Sequence, residues 1–219
     1  MGAESLISRM HGGELRRFLQ WGVFISLIAC LVPPAGLAQD ADALTTRPVE
    51  VVEKTVGEVI DVLGTPGLTD AERRVRIEKI AFAVFDFTTL SKLVLARNWK
   101  RLDKAQRQEF VPEFKKYLSR NYGSRLGSYE KADVEVLGAR VEPRKDVTVF
   151  TQVDGSDFNG IAMNYRMRLG KGDWKVIDIV IEGVSMLANF RAQFSEVISR
   201  EGPEGLLEAM RKRNSEPEE

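Results

Sequence analysis

After Glu130 the spacing of apolar residues changes from helical to alternating, and this change restricts the chain to folds that combine helices with a sheet. Within the alternating part, Met163 and Met167 fall on one side of a predicted strand, whereas Arg166 falls on the other. The runs predicted to be strands are 133–141, 147–153, 161–169 and 174–181. Because their connections are short, we expect a four-stranded, twisted antiparallel meander with one covered face.

Three helices, and then a longer fourth one, are predicted before these strands. Apolar residues recur at helical spacing over 48–63, 69–84 and 87–96. Thr69 and Glu72 have the spacing of a capping box, in which each side chain accepts a hydrogen bond from the other residue's backbone amide. This pair therefore indicates a helix that begins immediately after Thr69.

A longer helical pattern begins after Asp103 and carries a wide aromatic stripe. Pro112 lies within this pattern. Because proline has no amide hydrogen and crowds the preceding turn, we expect a kink or break near Gln108.

The helical pattern returns after the predicted strands. Ser185 is expected to cap a helix that begins near Met186. Gly202 and Pro203 should separate this helix from a final one, which ends near Arg213. Helices, then strands, then helices indicate an α+β fold in which the C-terminal helices pack on the sheet.

The first 38 residues have the features of a secretory signal peptide. Arg16 and Arg17 precede an apolar run over 18–32, and the small residues that follow favour cleavage after Ala38. Cys30 lies in a context similar to a lipoprotein cleavage box, so a lipid anchor is the alternative. We therefore expect a periplasmic protein. The predicted divisions are a signal peptide (1–38), a flexible leader (39–47), one folded domain (48–213) and an acidic tail (214–219).

Composition excludes several classes of site. The only histidine, His11, and the only cysteine, Cys30, both lie in the predicted signal peptide. The remaining chain cannot build a Ser-His-Asp or Cys-His site, nor the usual zinc sites. The 32 basic and 32 acidic residues are interspersed, without the basic stripe typical of nucleic-acid binders. We expect no metal, no cofactor, no nucleic-acid partner and no catalysis.

Two carboxylates in apolar surroundings keep a hydrolase open as an alternative. Asp86 lies between Phe85 and Phe87, and Asp178 lies within an apolar run. A catalytic pair would require both acids to converge in one cleft. An isolated aspartate at a helix start or on the solvent-facing side of a strand is more often structural, which is the interpretation we favour here for both residues.

Large, flexible apolar side chains are the remaining candidates for a binding site. Sequence pattern does not separate a filled core from a hollow one. A lipid pocket and a solid, non-catalytic scaffold for protein contact, of the cystatin-like or nuclear-transport-factor-like kind, therefore both remain open. The predicted pocket residues are Phe110, Phe114, Leu118, Val149, Met163, Tyr165, Met167, Val184, Met186 and Phe190.

The chain resembles the MlaC (toluene-tolerance) family in two ordered sets of residues. The first set comprises Phe85-Asp86-Phe87, the segment 94–99, Gln106, Phe110, Phe114, Tyr117 and Leu118. The second set comprises the segments 174–179 and 182–186, Asn189-Phe190-Arg191 and Gln193-Phe194. The likeness extends from about Pro48 to Arg211.

This resemblance implies a periplasmic substrate-binding component of an ABC-type system that maintains the lipid asymmetry of the outer membrane. It also implies helices packed on a twisted antiparallel sheet around an apolar pocket for acyl chains, and no catalytic residues. The implied partners are phospholipid, an inner-membrane ABC permease assembly and an outer-membrane lipoprotein complex. Another lipid, such as a hopanoid, is the alternative cargo.

Overall fold

The computed structural model describes residues 35–123, 132–155 and 158–216. Cys30 and most of the predicted signal peptide lie outside these residues. No helix in the described ranges has both the length and the apolar composition needed to cross a bilayer.

Four helices precede the sheet. They are α1 (Ala35–Leu63), α2 (Asp70–Val84), α3 (Phe87–Leu95) and α4 (Lys104–Gly123), with a 3₁₀ turn (Ala96–Arg101) after α3. The capping box at the start of α2 is confirmed. The Thr69 amide donates to Glu72 Oε2 at 2.9 Å, and the Glu72 amide donates to Thr69 Oγ1 at 3.3 Å. Local sequence therefore determines where α2 begins.

The helix α1 begins at Ala35 and includes residues 39–47, which the sequence analysis assigned to a flexible leader. Pro48 was expected to start the helix but lies inside it. An internal proline removes one helical hydrogen bond. Tertiary packing supports the helix at this point. Pro48 is buried, and the adjacent Arg47 donates two hydrogen bonds to the Asp173 carboxylate, at 3.0 and 3.2 Å.

The helix α4 is continuous through Pro112, so the break expected near Gln108 is absent. Pro112 is exposed, and a carbonyl freed on the exposed side of a helix can be hydrated by water. On the opposite side, Phe110 and Phe114 are fully buried. This packing holds the helix together across the proline.

The sheet is an antiparallel meander in the order β1-β2-β3-β4-β5. Its strands are β1 (Asp133–Val141), β2 (Val147–Gly155), β3 (Phe158–Leu169), β4 (Trp174–Ile181) and β5 (Val184–Ser185). The four predicted strands are confirmed, but the number of strands was wrong. The fifth has two residues, which is too short to produce an alternating pattern. Glu182 and Gly183 form the turn before it, with φ angles of 49° and 78°, as a type I′ hairpin requires.

The last helix, α5 (Met186–Ser215), contains the predicted interruption. Gly202 has φ 73° and ψ 179°, a conformation that favours glycine, and Pro203 follows it. Ser185 caps the helix as predicted, because its hydroxyl accepts a hydrogen bond from the Ala188 amide at 3.0 Å. Asn214, which was assigned to the acidic tail, lies inside α5 and donates to the Glu113 carbonyl at 3.0 Å.

Buried apolar side chains form two separate clusters. The aromatic cluster joins α3, α4 and α5, where Phe114 meets Phe190 and Phe194 edge to face at centroid distances of 5.8 and 5.6 Å. The aliphatic cluster joins α1 to the sheet through residues such as Val52 and Val149. The fold therefore has two filled cores, with a gap between them.

Candidate functional site

An apolar cavity of about 390 Å³ lies between the two clusters. Leu90, Phe114 and Phe190 line it from the aromatic cluster, and Val52 and Val176 line it from the aliphatic cluster. Its volume lies within the range of about 300–1,000 Å³ that is usual for ligand pockets. The gap is therefore large enough for part of an apolar ligand.

One wall of the cavity is a continuous face of α1. The residues on this face are Val51, Val52, Thr55, Val56, Val59, Ile60 and Leu63. Twelve residues separate the first from the last, which corresponds to about 18 Å of helix at about 1.5 Å per residue. This length is close to the depth of one leaflet's hydrocarbon, which is half of about 30 Å.

The structure brings together some of the predicted pocket residues and separates others. Those that line the cavity are Phe114, Leu118, Met163, Tyr165, Met186 and Phe190. Phe110 is fully buried in the aromatic cluster, whereas Val149 and Met167 are fully buried in the aliphatic one. Val184 is 62% exposed and faces away from the cores. Alternation assigned these residues to a face of an element, but it did not show whether that face is in contact with protein or with the gap.

Much of the wall formed by α1 and α2 was not predicted from the sequence, and neither were the strand ends that line the cavity. Phe82, Phe85 and Phe87 line the cavity where α2 meets α3, and Ile179 lines it from β4. The available signal was the density of aromatic residues around Asp86 combined with the unbroken apolar face of α1. The aromatic residues were interpreted as the apolar surroundings of a carboxylate, and the apolar face was interpreted as a sign of a helix.

Several of the side chains that line the cavity, although not all of them, keep some exposed surface. Met163, Tyr165, Ile179 and Met186 all keep partial exposure although they point inward. By contrast, Met167 lies on the same strand as Met163 and has no exposed surface. The inner face of β3 therefore passes from filled core to open cavity within four residues.

Most polar groups at the cavity are occupied by hydrogen bonds within the protein. Thr55 donates to the Val51 carbonyl at 2.6 Å. Asp178, which is 2% exposed, accepts from the Ser185 hydroxyl at 2.6 Å and the Leu187 amide at 2.9 Å. Arg166 Nη1 lies 3.6 Å from the same carboxylate. Asp178 is thus a structural group that holds the start of α5 against β4.

Asp86 has a similar structural role at the start of α3. Its carboxylate accepts hydrogen bonds from the Thr89 amide at 2.9 Å and the Thr89 hydroxyl at 2.6 Å. Burial raises the pKa of Asp86, but these hydrogen bonds and one from the Thr88 amide outweigh it and hold the pKa below its usual value. Both suspected acids therefore have structural roles, as the favoured interpretation of the sequence expected. The expectation that Asp178 lies on the solvent-facing side of its strand was wrong, because its side chain is buried against the start of α5.

A different polar contact lies between α2 and α4. The Ser119 hydroxyl donates to Glu78 Oε1, and both residues line the cavity. One turn away, the Lys115 ammonium lies 4.2 Å from the centroid of the Phe82 ring and 5.5 Å from that of Phe87. Sequence reasoning did not identify these residues, although a glutamate next to Ile77 on the buried face of α2 is a visible anomaly.

Comparisons with known proteins agree with this geometry. The family model described as MlaC protein matches residues 53–212. The toluene tolerance protein ttg2D of Pseudomonas putida is 27% identical over 127 residues, covering 58% of this chain and 59% of that protein. The intermembrane phospholipid transport system binding protein MlaC of Haemophilus influenzae is 26% identical over 129 residues, covering 57% and 60% respectively. The chain thus matches about 60% of the length of both relatives.

A solved structure extends the match over most of the fold. It is the phospholipid-binding protein from Ralstonia solanacearum in complex with a phospholipid, which superposes with a TM-score of 0.67 at 26% identity. The superposition covers 76% of this chain and 96% of that one. Together with the match to the family model over residues 53–212, this likeness shows that the chain belongs to the MlaC family.

Proposed function

We propose that this protein carries phospholipid through the periplasm between the inner and outer membranes, and that it catalyses no reaction. The observation that carries the proposal is the apolar cavity of about 390 Å³ between the two cores. A related protein of the same fold was solved with a phospholipid bound. In this proposal, the side chains that contact the acyl tails include Phe114, Leu118, Met163, Met186 and Phe190.

The energetic requirement for such a carrier is large. Exposing a lipid tail to water costs about 0.8 kcal/mol per CH₂, so a tail of a dozen methylenes costs about 10 kcal/mol. A cavity that follows α1 from Val51 to Leu63 can shield most of one tail. Met163 and Met186 adapt to tails of different length, because unbranched thioether side chains repack readily.

The structural roles of the carboxylates support a carrier rather than a hydrolase. Asp86 and Asp178 use their oxygens to cap α3 and α5. No group of three histidine, cysteine, aspartate or glutamate side chains in the described part of the chain could hold a metal ion. The proposal also includes the partners that family membership implies, an inner-membrane ABC permease assembly and an outer-membrane lipoprotein complex, which would exchange lipid with the cavity.

The test is to purify the protein from cells under native conditions and extract its ligand. Mass spectrometry should find phospholipid at close to one molecule per chain. The stripped protein should then take up labelled phospholipid from vesicles. Recovery of no lipid, together with no uptake from vesicles, would exclude the carrier function. Recovery of a hopanoid instead would identify a different cargo for the same cavity.

A further inference from the structure

The contact zone between α2 and α4, which we call the α2–α4 seam, consists of Glu78, Phe82, Lys115 and Ser119. Glu78 and Phe82 are one turn apart on α2, and Lys115 and Ser119 are one turn apart on α4. The carboxylate meets the hydroxyl at one level, and the ammonium meets the aromatic ring at the other. The two charges are therefore offset by about 6 Å along the helices, at about 1.5 Å per residue.

In the part of the chain that the structure describes, no ion pair neutralises either charge of the seam. Within the described residues, no cationic group lies within 4.0 Å of the Glu78 carboxylate, and Lys115 makes no ion pair. By contrast, the neighbouring Lys116 pairs with Glu113 at 2.8 Å. Glu78 and Lys115 are both partly exposed, so a ligand group can reach them from solvent.

The position of the seam relates it to the cavity. Glu78, Phe82 and Ser119 all line the apolar space, and Lys115 lies over Phe82. The other polar groups on the lining, such as Thr55 and Asp178, are satisfied internally. A ligand with apolar tails in the cavity and a polar end near solvent would place that end most favourably at this seam, where charge interactions are strengthened by the adjoining low-dielectric space.

We propose that the α2–α4 seam binds a zwitterionic phospholipid headgroup, with Lys115 holding the phosphate and Glu78 accepting hydrogen bonds from an ammonium such as that of ethanolamine. This proposal rests on the proposed lipid-carrier function and adds headgroup selectivity to it. A single anion would satisfy only Lys115, and a neutral diacylglycerol would satisfy neither charge. The seam thus distinguishes lipids with identical tails.

The experiment gives the delipidated full chain a choice between vesicle lipids that have the same acyl chains. Equal amounts of phosphatidylethanolamine, phosphatidylglycerol and diacylglycerol are offered, and native mass spectrometry measures the ratio bound. Lys115→Met should lower the ratio of phosphatidylethanolamine to diacylglycerol about tenfold, the loss of one charge-assisted hydrogen bond at a partly exposed site. Glu78→Gln, which can still accept from Ser119, should lower the ratio of phosphatidylethanolamine to phosphatidylglycerol by a similar factor.

Matched variants separate headgroup binding from a purely structural role. Lys116→Met removes the positive charge next to Lys115, and Glu53→Gln removes an exposed negative charge on α1. Both residues lie outside the cavity lining, so both variants should leave the ratios unchanged. Lys115→Arg should retain the preference for phospholipid. If Lys115→Met and Glu78→Gln lower thermal stability but leave both ratios unchanged, the seam only clamps two helices and the proposal is overturned. If the wild-type protein binds no lipid at all, the carrier function itself fails, which is a different result.

Discussion

Two methionines on the same face of β3 provide a direct test of whether the cavity is hollow. Met163 lines the cavity and is partly exposed, whereas Met167 is fully buried in the aliphatic cluster. Replacing each with tryptophan inserts the same extra volume into the two environments. We expect Met167→Trp to destabilise the protein by about 1–3 kcal/mol, because a filled core cannot accept a larger ring without strain.

Met163→Trp should have the opposite profile. Its indole can enter the open space, so unfolding free energy should change by less than about 0.5 kcal/mol, as for a tolerated substitution. If the ring displaces about three methylenes of a bound tail, at about 0.8 kcal/mol each, lipid affinity should fall roughly fiftyfold. Met167→Trp should leave affinity close to wild type in the fraction that remains folded.

Urea denaturation and vesicle uptake measure the two effects independently. For a domain of this size, a loss of 1–3 kcal/mol corresponds to a decrease in Tm of about 2–12 °C. Met163→Trp also removes the sulfur atom that accepts a hydrogen bond from the Tyr165 hydroxyl at 3.3 Å. Tyr165→Phe therefore serves as a control, because it measures the effect of losing that hydrogen bond alone. Equal destabilisation by both tryptophans, without loss of lipid binding by Met163→Trp, would mean that the space around Met163 is not available to a ligand.

Three further predictions concern the helix caps. Thr69→Ala removes the capping box of α2 and should lower unfolding free energy by about 1 kcal/mol in chemical denaturation; no change would mean that tertiary packing alone fixes that helix start. Asp178→Ala leaves the buried Leu187 amide without its acceptor and should cost about 1–3 kcal/mol, whereas Asp178→Asn should cost less; equal losses would contradict the hydrogen-bond explanation. The lowered pKa of Asp86 means that its carboxylate stabilises the fold above the unfolded-state pKa of about 3.9, and that this contribution is lost as pH falls through the lower folded-state value. The stability difference between wild type and Asp86→Asn should therefore shrink below about pH 4, and a difference that stays constant down to pH 2 would refute this.

Local signals in the sequence predicted the parts of the fold that depend on nearest neighbours. The capping box at Thr69, the N-cap at Ser185 and the interruption at Gly202 all depend on residues within one or two turns, so each could be recognised without tertiary information. The long strands were predictable because one side of each is covered. The errors at Pro48 and Pro112 arose where long-range packing overrides a local preference, as when the fully buried aromatic side chains of α4 hold the helix through its proline.

The cavity could be predicted only in part, because an inward-facing apolar side chain has the same sequence signature in a core and in a wall. Met163 and Met167 illustrate this limit: they have the same residue type, strand and face, but different neighbours. The wall formed by α1 depends on how far that helix stands away from the sheet. This separation is set by the packing of whole elements, which periodicity does not encode.

The size of the cavity argues that it does not persist as a dry void. In mutational series, an unfilled cavity costs about 24 cal/mol per Å³, so a dry space of about 390 Å³ would forfeit about 9 kcal/mol. That figure is comparable to the whole stability of a typical domain, which is about 5–15 kcal/mol. Two separately filled cores allow the chain to remain folded on either side of the gap, and the partly exposed lining leaves the space accessible to water. An apolar ligand would displace that water, and the same contacts that fill the space would hold the ligand.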